Sequence, residues 1–162
     1  MKTNVQKQSQ PGNKKLSTAY KLIIAALVFV VISAILNFLP LQLVGSSYEM
    51  IWVVLCGPIL FAAIYLILII IASAFILKSN PDHKMRLITI LIIIAACAGF
   101  GASTTELIIM MVLINNGNIT PNVVSIVPYL YVLGVFDLIV LALLVTQFIF
   151  LNRVLHKDHS HK

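Results

Sequence analysis

Two carboxyl groups lie where carboxyl groups are costly, and any chemistry in this chain starts from them. Glu106 falls within an apolar run over residues 87–114, and Asp137 within another over residues 123–151. Counted at 1.5 Å per helical residue, they sit ~13 Å and ~20 Å from the nearer ends of those runs. Inserting such a group into hydrocarbon costs on the order of 3 kcal/mol, so neither is expected to face lipid. No Lys or Arg occurs in any of the apolar runs to neutralise them. Each acid must therefore be protonated, share a proton, hold a cation or face water.

Asn37 lies about a dozen ångströms deep in the first run by the same count, and can join the acids. Ser103, Thr104 and Thr105 supply hydroxyls beside Glu106. These six residues are expected to form a polar cluster in the outer half of a helix bundle. Hydrogen bonding between helices is the plainest use of such a cluster. A proton or cation site, or a contact for an external ligand or partner helix, are the alternatives. The same stretch carries a packing seam: Ala95, Gly99, Ala102 and Glu106 recur at spacings of four, three and four, which places them on one helical face. Small residues there let a second helix approach closely, within the chain or between copies.

Other candidates are weaker. His156, His159 and His161, with His83 from a connecting turn, are metal-ligating residue types, but the spacing is loose and a solvated basic tail is the expected reading. Cys56 and Cys97 sit at different depths, so two small buried thiols are expected rather than a disulfide. There is no HExxH, GxSxG, P-loop or dinucleotide fingerprint. Glu106 with Asp137 could imitate an intramembrane carboxyl dyad, but nothing accompanies the pair. No enzyme activity and no cofactor are expected.

The elements that must position these residues are four apolar runs, over about residues 22–44, 51–77, 87–114 and 123–151. Each is long enough to cross ~30 Å of hydrocarbon as a helix. Sixty per cent of the chain is apolar and only 10% is charged, against about 25% charged in a soluble domain. The fold class is therefore all-α: a polytopic membrane protein, an up-down four-helix transmembrane bundle. One domain is expected over residues 20–154, with a mobile basic tail over 1–19 and a His-rich tail over 155–162. The first run is too long for the apolar core of a signal peptide and no A-x-A site follows, so it is read as a retained span.

Charge orients the weave. Lys2, Lys7, Lys14, Lys15 and Lys21 precede the first span; Lys78, Lys84 and Arg86 separate the second and third; Arg153, Lys157 and Lys162 follow the fourth. All eleven basic residues thus fall on one side, and only Glu49 on the other. Both termini are expected to be cytoplasmic, in the plasma membrane, and the distribution argues against nucleic acid as a partner. The expected partners are the bilayer and either a second copy or another membrane protein. The favoured function is a small accessory or interaction protein acting through intramembrane helix packing. The alternatives are a proton- or cation-coupled transporter or channel subunit using Glu106 and Asp137, and an immunity-type membrane protein.

Overall fold

The computed structural model describes residues 11–38, 48–79, 81–116 and 123–160. They form four helices, α1 (Pro11–Phe38), α2 (Tyr48–Leu77), α3 (His83–Asn115) and α4 (Val123–Ser160). Within them the stretches Lys14–Phe38, Cys56–Leu77, His83–Val112 and Tyr131–Leu155 are each long and apolar enough to cross a membrane. Helix suits that setting because every backbone amide and carbonyl finds its partner inside the segment.

The turn between α2 and α3 shows how one helix is ended and the next begun. The Lys78 amide still reaches the Ala74 carbonyl at 3.1 Å, and the Ser79 amide tightens onto Ile76 at 3.0 Å. The Ser79 hydroxyl donates to the same Ile76 carbonyl at 2.6 Å. Pro81 has no amide to carry the helix on. Asp82 then stands at the cap of α3, its carbonyl accepting the Arg86 amide at 3.0 Å, with its acidic side chain at the positive end of the helix dipole.

Each helix buries a series that alternates steps of four and three. In α1 it runs Ala19, Ile23, Ala26, Val30, Ser33, Asn37, and in α2 Ala62, Tyr65, Ile69, Ala72, Ile76. In α3 it runs Met85, Thr89, Ile92, Ala96, Gly99, Ser103, and in α4 Leu133, Asp137, Val140, Leu144, Gln147, Leu151. A repeat averaging 3.5 residues keeps one seam of each helix facing its neighbours, as in left-handed coiled-coil packing. The outward faces are just as apolar, with Val28, Ile35, Leu60 and Ile94 all exposed. That surface is what hydrocarbon, and not water, would cover.

Helices adjacent in sequence pack together, and α1 closes the ring against α4. Neighbours run antiparallel. Tyr20 near the start of α1 stacks on Phe148 near the end of α4 at 5.0 Å, while Phe38 at the end of α1 lies 5.9 Å from Tyr131 early in α4. Phe29 and Phe61 pair α1 with α2 at 6.1 Å.

Three expectations need adjustment. Helix α1 begins at Pro11, inside the stretch read as tail, and Ala19 is fully buried. Proline suits a first helical position, and the small Ala19 extends the buried series by one step. Helix α4 likewise continues through Ser160, past residue 155. Cys56 and Cys97 are free but exposed, not buried; both fall off the four-three series and so face outward. Residues 39–47 and 117–122, and the side chains of Glu49, His156, His159 and His161, lie outside the described residues.

Candidate functional site

Asp137 is the meeting point of three helices. Its seam position on α4 turns the carboxylate inward, where it is only 3% exposed. Ser33 of α1 donates its hydroxyl to Oδ2 at 2.7 Å, and Asn37, one turn further along the same face, donates Nδ2 to the same oxygen at 2.9 Å. The Tyr65 hydroxyl of α2 donates to Oδ1 at 3.0 Å. All three partners are neutral donors. They satisfy the carboxylate as a hydrogen-bond acceptor but bring no positive charge.

The fourth helix comes close without contributing a side chain to these bonds. A Cβ on Gly99 of α3 would lie 3.3 Å from Cβ of Phe136 and 3.8 Å from the Tyr65 hydroxyl. Glycine therefore lets α3 close the wall beside Tyr65. On the side away from the basic end, the Phe38 ring rests on Gly134, where a Cβ would lie 2.6 Å from ring carbons. Toward the basic end the next seam residues are Val30, Ile69, Ala96 and Val140, all buried.

A second buried polar contact lies ten residues further along α4, ~15 Å at the helical rise. Gln147 Nε2 donates to the Thr89 hydroxyl at 2.8 Å, and that hydroxyl donates to the Met85 carbonyl at 2.8 Å. It pins α3 to α4 as the aspartate joins α4 to α1 and α2.

Of the residues expected to cluster, Asn37 and Asp137 come together. Glu106 does not reach them. It is half-buried, two turns from Gly99 on the same side of α3, ~10 Å along the axis, and makes no hydrogen bond to Asp137 or Asn37. Ser103, Thr104 and Thr105 bond back to their own helix, to the carbonyls of Gly99, Phe100 and Gly101 at 2.9, 2.8 and 2.8 Å. In apolar surroundings that local bond is the nearest way to satisfy a hydroxyl. The expected seam is rotated by about one residue: Ala96, Gly99 and Ser103 face inward, whereas Ala95 and Ala102 are only half-buried. Among the described residues, no three His, Cys, Asp or Glu side chains gather as a metal site.

Four members of the two contacts were not anticipated: Ser33, Tyr65, Thr89 and Gln147. Tyr65 carried a usable signal, since tyrosine belongs at membrane interfaces and this one stands mid-run among aliphatic residues. Ser33 and Asn37 are spaced four apart, the spacing of one helical face.

Compared with protein-family models, curated proteins and solved structures, the chain matches none. Fold and site define a class rather than a family: a small all-helical protein with four helices suited to a membrane, joined at their core by buried polar contacts.

Proposed function

We propose that this is an accessory or interaction protein of the cell membrane, with both termini cytoplasmic, that packs α3 against a transmembrane helix of a second copy or of a partner membrane protein. One observation carries the reading. Gly101 is exposed, and a Cβ there would meet no atom within 4 Å. Cys97 and Thr105, one turn to either side, are exposed as well. The three make a strip of small residues along the outward face of α3, and such strips let helix backbones approach closely in lipid. The Thr105 hydroxyl is already bonded to the Gly101 carbonyl at 2.8 Å, so it sits in an apolar interface without an unmet donor. Most of the outward surface elsewhere carries bulky residues, such as Val28, Leu60, Ile67 and Val135.

The orientation follows from charge. Antiparallel packing gathers Lys14, Lys15, Lys21, Lys78, Lys84, Arg86 and Arg153 at one end of the bundle, the end that the positive-inside rule assigns to the cytoplasm. The reading is tested by a photoreactive residue placed at 101 and, as control, at lipid-facing position 60. An adduct to a membrane protein from 101 and none from 60 is expected. Equal yields from both, or none from 101, reject it.

A coupled transporter or channel subunit is the second reading, favoured by Asp137 being buried with no basic partner among the described residues. It requires proton or cation flux in proteoliposomes that disappears in Asp137→Asn or Glu106→Gln while the chain remains folded.

A further inference from the structure

We infer that Asp137, Asn37, Ser33 and Tyr65 form a binding site for one small monovalent cation held by oxygen ligands, with sodium as the ion to test. The proposal is independent of the helix-docking reading, because it concerns the inside of the bundle. It concerns binding, and needs no transport.

Two groups at this site lack what they need, and they are neighbours. Asp137 receives donors on both oxygens, two on Oδ2 and one on Oδ1. That setting suits a carboxylate, which accepts only. The seams of α1 to α4 bring no Lys, Arg or His to balance its charge among the described residues. The second group is Asn37, 4% exposed, whose Oδ1 is buried and has no hydrogen-bond partner. Turning the amide over would offer Oδ1 to an acid proton on Asp137, but it would take Nδ2 away from Oδ2 and leave the amide nitrogen unmatched instead. A proton therefore cannot satisfy both groups. A cation beside the carboxylate can, with Asn37 Oδ1 as a ligand.

The remaining chemistry selects the kind of ion. The hydroxyls of Ser33 and Tyr65 donate to Asp137 and keep lone pairs free, so every ligand is a hard oxygen. Oxygen ligands suit hard cations, and no thiolate or imidazole is present to favour a softer metal. One carboxylate balances one positive charge, whereas a divalent ion would leave a buried excess. Among the described residues, the other acidic side chain within the spans is the half-buried Glu106, two turns from Gly99 on α3 and unbonded to the site.

The test uses the full chain purified in lipid nanodiscs at neutral pH. Thermal unfolding is followed as NaCl replaces choline chloride at constant ionic strength, and radioactive sodium binding is measured by displacement with unlabelled NaCl. A saturable rise in Tm with sodium, matched by displaceable binding, is expected. Both should vanish in Asp137→Asn and Asn37→Ala, and Tyr65→Phe should raise the sodium midpoint severalfold. Tyr65→Phe keeps the test decisive if Asp137→Asn does not fold. The proposal is overturned if sodium and choline are equivalent in the parent chain, or if the sodium effect survives unchanged in the variants.

Discussion

Asn37 and Asp137, a hundred residues apart in sequence, meet at 2.9 Å and join the first helix to the last. The contact lies at the α1–α4 closure of the ring, the one neighbouring pair that no short connection holds together. Ser33 reinforces it from the same helix at 2.7 Å, and Tyr65 brings in α2. Removing single donors should thus weaken the closure without abolishing it. Tyr65→Phe and Ser33→Ala should each cost about 1–2 kcal/mol, the scale of one hydrogen bond to a charged or buried acceptor. Reversible unfolding from bicelles by SDS measures this, and a Tyr65→Phe chain as stable as its parent would show that the bond does not hold the ring.

The Thr89–Gln147 contact makes a separate prediction about coupling. Thr89→Val strands a buried Gln147 amide and should cost about 1–3 kcal/mol. Replacing both, as Thr89→Val with Gln147→Leu, removes the need along with the bond and should recover most of that loss. A double-mutant cycle on unfolding free energy reads the difference directly. Additive losses would mean that the two side chains act independently despite the 2.8 Å separation.

Three glycines should respond differently to the same methyl group. At Gly134 a Cβ would lie 2.6 Å from the Phe38 ring, so Gly134→Ala must displace that ring and should destabilise by about 1–3 kcal/mol, the range for overpacking a core. At Gly99 the nearest contact is 3.3 Å, to Cβ of Phe136, and Gly99→Ala should cost less. At Gly101 nothing lies within 4 Å, and Gly101→Ala should match or exceed the parent, because alanine is the better helix former. Thermal unfolding of the three variants checks the order.

How much of this is legible in the residues depends on what each residue type signals. The four spans are legible because length and apolarity alone decide them. Asp137 and Asn37 are legible as sites because polar groups stand out in an aliphatic run, although the sequence cannot say which helix supplies the partner. Glu106 stands out equally but does not reach them, because depth along a helix does not decide lateral contact. Tyr65 is hidden by its ring, which reads as apolar until its hydroxyl finds Asp137. The inward face of α3 is ambiguous in sequence because residues 95–105 are small almost all the way round, so several faces fit; packing against Tyr65 and Phe136 selects the one that includes Gly99. The early start of α1 is masked because residues 11–15 show no apolar period and Gly12 is a weak helix former, although Pro11 suits a first helical position.

The most direct test of the proposed function is the size of the particle released from native membranes by a lipid-retaining polymer, compared for the parent chain and Gly101→Leu. Leucine at that exposed position has room in the bundle itself but puts a bulky side chain into the strip of small residues between Cys97 and Thr105. The parent is predicted to leave the membrane with a second copy or a partner protein attached, and Gly101→Leu to leave alone with unchanged helical circular dichroism. Particles of the same size from both chains would contradict docking along α3.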